Sequence, residues 1–267
     1  MTTAPAARWN DLRKRMASAV VMVLIGFVAV AWGGLAFSAL SCIVTGLMIW
    51  ELSAMTAPER STRALLLGLN AAGTLALVLI MLPYSVLFVA LLILPPVAGL
   101  WRPRRDRRFF TLYATAIMLT GFGLAVLRDT QGIGAITWII SVVVVSDVAG
   151  YFAGRTFGGP KFWPRISPKK TWSGTVAGWI GAVVLGWAFT YAGGGVALIW
   201  MSPLLAFAGQ LGDIVESWLK RRSAVKDSSS LIPGHGGVLD RFDALIGAVL
   251  LLLLLAQFGE LPLSAAQ

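Results

Sequence analysis

The sequence is short of almost everything from which a water-soluble domain is built. Charged residues make up 13% of its 267 positions, against about a quarter in ordinary soluble domains. It has 12 acids, one histidine and one cysteine. A single cysteine excludes an intrachain disulfide, and Cys42, set in an apolar run, reads as a small buried hydrophobe. A single histidine excludes a three-histidine metal site and the second histidine of the H-x-G-H nucleotide-transfer motif. No G-x-x-x-x-G-K-[ST] occurs, which removes the Walker-type phosphate loop. Long polar linkers, low-complexity tracts and internal repeats are missing too, so one domain spanning 1–267 suffices.

What the chain does have is apolar length. Hydrophobic residues reach 57%, mostly in runs that match the roughly 17–25 residues a helix needs to span a bilayer. These runs lack the period-2 alternation of a transmembrane barrel, and backbone groups in lipid must be satisfied internally. The expected fold is therefore all-α, a polytopic membrane bundle. Nine spans are read at 16–32, 34–54, 64–82, 84–100, 109–127, 133–153, 173–192, 196–219 and 242–258. With the N-terminus cytoplasmic, loops 55–63, 101–108, 154–172 and 220–241 share that side and the C-terminus lies outside. The N-terminal segment and these loops hold four, two, five, five and five basic residues in turn, so of 22 only Arg128 falls elsewhere. That asymmetry is what the positive-inside rule demands. The net charge of +10 is thus mainly topogenic rather than a nucleic-acid surface, and it also suits anionic lipid headgroups.

Several local features have plain readings. The apolar run from Met16 resembles a secretory signal with Ala29-Val30-Ala31 as a cleavage site, but apolar character continues to Ala57, so an uncleaved first helix is expected. Trp32 and Trp200 near outer ends, and Trp50, Trp101, Trp172 and Trp218 near inner ends, fit an interfacial belt. The run WRPRRDRR at 101–108 reads as a topology anchor. Pro95-Pro96 should kink or end the fourth span. Glu51, near the inner end of the second span, is either a snorkelling acid or an outer partner of a polar pocket.

Charged groups within spans are costly and usually functional. Asp147 lies in the sixth span, Asp213 and Glu216 lie at i, i+3 in the eighth, and Asp240 and Asp243 repeat that spacing where the ninth begins. Carboxylates near the cytoplasmic ends of three helices suit a hard cation such as Mg²⁺, which coordinates substrate phosphates as well. The competing reading is ion pairing, for example Glu216 with Lys220 at i, i+4. Two loops supply cations. Gly154–Gly174 interleaves Arg155, Lys161, Arg165, Lys169 and Lys170 with glycines, and Ser167, Thr171 and Ser173 can donate to phosphate oxygens. Ser217–Asp243 carries Lys220, Arg221, Arg222, Lys226 and Arg241 around Ile232-Pro233-Gly234-His235-Gly236-Gly237, a tight non-helical turn able to wrap a phosphate. His235 is open to a role as base, phosphate donor or structural group.

The second of these stretches resembles the signature of the phosphatidate cytidylyltransferases (CDP-diacylglycerol synthases). The matching residues are Ser217, Leu219, Lys220-Arg221, Lys226-Asp227, Ser229, Ile232, Pro233, His235-Gly236-Gly237 and Asp240-Arg241-Phe242-Asp243. Asp147, Tyr151, Gly154-Arg155, Phe157-Gly158, Pro164, Ser167-Pro168 and Lys170-Thr171-Trp172 are similar to that family too. Before residue 130 the likeness is only in hydropathy, and the active half is expected at about 133–258.

The resemblance implies an enzyme that makes CDP-diacylglycerol and pyrophosphate from CTP and phosphatidic acid, using Mg²⁺ and in some members a monovalent cation such as K⁺. It assigns catalytic roles to Lys220, Arg221, Lys226, Asp227, His235 and Arg241. Substrate contacts would come from Ser167, Lys169, Lys170, Thr171, Ser217, Gly236 and Gly237, and metal ligation from Asp213, Asp240, Asp147 and Asp243. Asp213 and Asp240 are expected to be brought together by the loop between them. A bacterial inner (plasma) membrane, a cytoplasmic active site and homodimerisation are part of the expectation, and a nucleic-acid partner is not. The lipid phosphate is largely anionic near pH 7, its second pKa lying near ~6, so no dedicated base is needed. The competing classes are a transporter or ion channel, and a membrane enzyme that uses CTP on a polyprenol or another lipid acceptor.

Overall fold

The computed structural model describes residues 5–57, 61–83, 85–101, 104, 106–259 and 261–262. Parts of two basic loops, 58–60 in one and 102, 103 and 105 in the other, lie outside the described residues. The elements in order are α1 (Pro5–Trp32), α2 (Gly34–Thr56), α3 (Ser61–Met81), a 3-10 helix (Val86–Ile93) running into α4 (Leu94–Ala98), and α5 (Arg107–Thr156). Next come β1 (Lys161–Trp163), β2 (Ser167–Thr171), α6 (Trp172–Tyr191), α7 (Leu198–Arg222) and α8 (Leu239–Leu255). Among the described residues, α1, α2, α3, α5, α6 and α7 contain stretches long and apolar enough to cross a membrane.

A helical segment stands at each expected span, with two qualifications. The fourth is not one long helix but a 3-10 stretch passing into a short α-helix at Pro95-Pro96. The fifth and sixth share α5, whose 50 residues would run about 75 Å if straight, far beyond a bilayer core of about 30 Å. The break falls at Gly132, whose φ of 75° and ψ of −167° are open essentially to glycine alone. The all-α expectation also misses a small antiparallel hairpin, β1 with β2, which pairs Lys161 with Thr171 and Trp163 with Ser167.

The chain divides into two compact units, 1–115 with 225–241, and 116–224 with 242–267. In the first unit α2 packs on α3 through small residues. A Cβ on Gly68 would come within 2.6 Å of the Gly46 carbonyl oxygen, and one on Gly46 within 2.9 Å of that of Gly68. Without a hydrophobic drive between helices in lipid, such close backbone approach is how membrane helices gain contact. Apolar side chains such as Phe27 (69% exposed) face outward, as they do where lipid is the solvent.

In the second unit the latter part of α5 meets α6 in the same way, a Cβ on Gly174 falling 2.5 Å from the Gly150 carbonyl oxygen. α6 packs on α7. Buried Trp138 donates from Nε1 to Ser202 Oγ at 2.9 Å, and Ser202 donates on to the Leu198 carbonyl at 2.7 Å. These bonds give a buried indole and hydroxyl the partners they need.

Candidate functional site

In the second unit, helix periodicity and the hairpin gather the polar groups around one cavity. Asp147, Tyr151 and Arg155 recur every four residues on α5, so they share a face. Thr171 ends β2 in an extended conformation and caps α6, its Oγ1 accepting from the Gly174 N–H at 3.2 Å. That cap fixes where the hairpin leaves Lys169 and Lys170. Gln210 and Asp213 face inward from α7. Together with Ser146, Gly150, Gly154, Gly174 and Thr175 these residues line a cavity of about 420 Å³.

The Lys170 ammonium is paired with Asp213 Oδ2. Asp213 Oδ1 accepts from Ser217 Oγ at 3.2 Å, so a serine of the signature steadies this acid. Arg155 Nη1 donates to Tyr151 Oη at 2.8 Å. Asp243 Oδ1 accepts from the Ala244 N–H at 2.8 Å. Asp147 and Asp213 lie within electrostatic range of each other, and Asp243 feels both. The cavity thus joins cations to carboxylates, a combination that can bind an anionic phosphate chain directly or through a metal.

The hairpin itself is braced apart from the cavity. Phe162 and Trp172 meet edge-on with ring centres 4.7 Å apart, the Trp172 N–H donates to the Pro160 carbonyl at 3.0 Å, and Ser173 Oγ contacts the Gly158 carbonyl. Ser167 lies at the far end of β2, opposite Trp163, and is not among the cavity-lining residues. Lys220 pairs with Glu216, a fully buried acid one turn earlier, so the ion-pair reading holds for that acid. Arg221 is exposed, and the Arg222 guanidinium lies 5.0 Å from the Trp218 ring centre. All three cations fall in the last turn of α7, where they complement the helix dipole.

The first unit holds the signature loop. The Ile232 N–H donates to the Gly236 carbonyl at 2.8 Å and the His235 N–H to the Ile232 carbonyl at 2.9 Å, with Gly236 at φ 83°. A Cβ at Gly236 would lie 2.8 Å from Asp240 Oδ2, so glycine is required on two counts. Asp240 Oδ2 closes the loop, accepting from the Ser228 N–H (2.9 Å), Ser228 Oγ (2.9 Å) and the Gly237 N–H (2.8 Å). Arg241 donates to the His235 carbonyl from Nε at 3.1 Å and Nη2 at 2.5 Å. His235 Nδ1 lies 2.9 Å from Ser18 Oγ of α1, the hydroxyl also lying 3.0 Å from the Pro233 carbonyl. Lys226 and Asp227 are exposed.

Lys169, Lys170, Thr171, Asp147 and Asp213 therefore share one cavity, Ser217 touches it through Asp213, and Asp240, Arg241, His235, Gly236 and Gly237 belong to the first unit. Among the described residues no group of three Asp, Glu, His or Cys side chains is gathered as a ready-made metal cage. The donor chemistry still fits Mg²⁺, which takes one or two carboxylates and completes its shell with water and substrate phosphate. Asp213 already holds a cation in the Lys170 ammonium.

Gln210 is a cavity residue that the sequence reading omits. It is buried, donates from Nε2 to Ser146 Oγ (3.2 Å) and the Thr175 carbonyl (3.3 Å), and accepts from Trp179 Nε1 at 3.0 Å. Its signal was an amide three residues before Asp213 in an otherwise apolar run.

Comparison with known proteins agrees in extent. The family model described as the cytidylyltransferase family matches residues 13–258. The phosphatidate cytidylyltransferase of Brucella suis biovar 1 (strain 1330) is 34% identical over 260 residues, covering 94% of this chain and 96% of the relative. Proteins of the same name from Haemophilus influenzae (41% identical over 127 residues; 45% of this chain, 44% of the relative) and Helicobacter pylori (42% over 144; 52% and 53%) match over shorter lengths.

Proposed function

The chain belongs to the cytidylyltransferase family, and we propose that it transfers the cytidylyl group of CTP to phosphatidic acid, giving CDP-diacylglycerol and pyrophosphate for phospholipid biosynthesis. The observation that carries this reading is the cavity in which Asp147 and Asp213 stand with Lys169, Lys170 and Arg155. CTP and a phosphatidate together carry roughly five to six negative charges, which such a set is suited to neutralise.

A phosphatidate oxygen attacks the α-phosphorus of CTP in line, the α–β bridging P–O bond breaks, and the electron pair leaves with pyrophosphate. Because the nucleophile is already anionic, His235 needs no part as base, and its contact with Ser18 supports a structural role. Lys170, Lys220, Arg221, Lys226 and Arg241 neutralise the triphosphate and the departing pyrophosphate. Lys169, Thr171, Ser167, Ser217, Gly236 and Gly237 contact substrate, and Asp227 stands with Lys226 in the catalytic set. In this reading Asp213 and Asp240 are the leading ligands of Mg²⁺, with Asp147 and Asp243 as further ligands or outer partners, and a monovalent cation such as K⁺ accompanies it. Bound Mg²⁺ supplies charge neutralisation on the phosphate oxygens.

The reading includes nine spans in one domain, N-terminus cytoplasmic, C-terminus outside, in the bacterial inner membrane, with CTP arriving from the cytoplasm, acyl chains kept in the bilayer, and a homodimer. The asymmetry of basic residues supports the orientation. The interleaving of the two units along the chain supports a single domain.

The test is purified protein with phosphatidate, labelled CTP and Mg²⁺. Asp213→Ala and Asp240→Ala are each expected to lose at least about 100-fold in turnover. Full turnover in both variants would sink the metal assignment, and a polyprenyl phosphate that outcompetes phosphatidate would move the acceptor.

A further inference from the structure

Glu51 is fully buried in the last turns of α2, beside Met48, Ile49 and Leu52. A carboxylate there is costly unless its oxygens are hydrogen-bonded. Both are. Oε1 accepts from the Val238 N–H at 2.9 Å and Ser229 Oγ at 2.6 Å, and Oε2 accepts from the Leu239 N–H at 2.7 Å and lies 3.0 Å from Ser228 Oγ, whose one proton it shares with Asp240 Oδ2. The four donors come from one stretch, 177 to 188 residues further along the chain. We infer that Glu51 is a positioning residue for the proposed transfer: its carboxylate ties 228–239 to α2 and thereby sets the loop that carries His235, Asp240 and Arg241. The inference rests on the transferase reading of that loop.

The contact pattern specifies a carboxylate. Each oxygen meets one backbone N–H, a donor that cannot reverse, so the NH₂ of a glutamine would face a donor on one side. The negative charge also sits where α8 begins, at the positive end of its dipole. Gly237 lets the backbone approach, since a Cβ there would fall 2.6 Å from Oε2 and 2.7 Å from Oε1. Ser228 passes the tie to Asp240, because its single hydroxyl lies 3.0 Å from Glu51 Oε2 and 2.9 Å from Asp240 Oδ2. Displacing Glu51 therefore alters the partners of Asp240 without touching it.

The experiment compares full-length wild type, Glu51→Gln and Ser229→Ala, the second being a mild variant that removes one donor. Amide exchange, unfolding midpoint, and kcat and KM for CTP are measured on each. In Glu51→Gln, exchange across 225–241 should rise at least about tenfold while α3 and α7 keep their protection. Its kcat should fall at least about tenfold, with KM for CTP changed less than about threefold. Ser229→Ala should shift both readouts in the same direction by less. Unchanged exchange in 225–241 in both variants overturns the tie. Local loosening with unchanged kcat, or activity lost only in step with global unfolding in both variants, overturns the positioning role. Wild-type protein that forms no CTP-dependent lipid product overturns the transferase reading itself, and is seen before any variant is compared.

Discussion

Two lysine–carboxylate ion pairs, Lys170–Asp213 and Lys220–Glu216, differ at the residue scale. Lys170 with Asp213 stands in the wall of the cavity, both side chains about a quarter exposed, so either partner can exchange the other for a substrate phosphate or a cation. On the proposed function, Lys170→Met should lower kcat/KM for CTP by about 100-fold, because it removes a cation assigned to the triphosphate; steady-state kinetics with the folded variant checks this. In the pair of Lys220 with Glu216 the acid is wholly buried and the lysine partly exposed. Glu216→Gln should cost about 3–5 kcal/mol of stability by removing the buried half of the ion pair with Lys220, read as a lower denaturation midpoint in mixed micelles. Asp213 and Lys170 were legible in the sequence because a charge inside or beside an apolar run stands out. Gln210 and Ser18 were not, since a neutral polar residue does not announce whether it turns inward. Glu51 was visible as an acid, but its four donors lie too far along the chain for any local pattern to supply them.

At the scale of elements, helix length and glycine placement do most of the organising. Gly132 lets α5 break in the middle of its 50 residues. Gly132→Val should destabilise the protein by about 1–3 kcal/mol, since the observed backbone angles are strained for any side chain; the unfolding midpoint measures it. The long apolar helices were readable from hydropathy because a bilayer imposes a minimum length on a helix. The break was not, because glycine is common in membrane helices and only the backbone angle shows which one turns. The hairpin was equally hidden. Lys161–Trp163 is too short for a period, and Ser167–Thr171 contains Pro168, which reads as a loop although it is tolerated in a strand with an open edge.

For the whole molecule, the account requires that basic loops share one side of the membrane. Cys42 is buried, so single cysteines placed elsewhere report accessibility against a quiet background. Lys161→Cys and Ala224→Cys should react with an impermeant thiol reagent only from the cytoplasmic side, and Gly194→Cys only from the opposite side. Labelling of all three from one face would contradict the nine-span arrangement. Charge placement is the whole basis of the expected topology, whereas the interleaving of two compact units, with crossings after 115, 224 and 241, leaves no mark on composition.

The central claim is that the α-phosphorus of CTP is the atom attacked and that phosphatidate attacks it. The most direct measurement follows two labels in parallel, with the protein in vesicles containing phosphatidate and Mg²⁺. With CTP labelled at the α-phosphate the account predicts label in CDP-diacylglycerol, and with CTP labelled at the γ-phosphate it predicts label only in pyrophosphate. Label from the γ-phosphate in the lipid would mean phosphoryl rather than cytidylyl transfer, and would contradict the account.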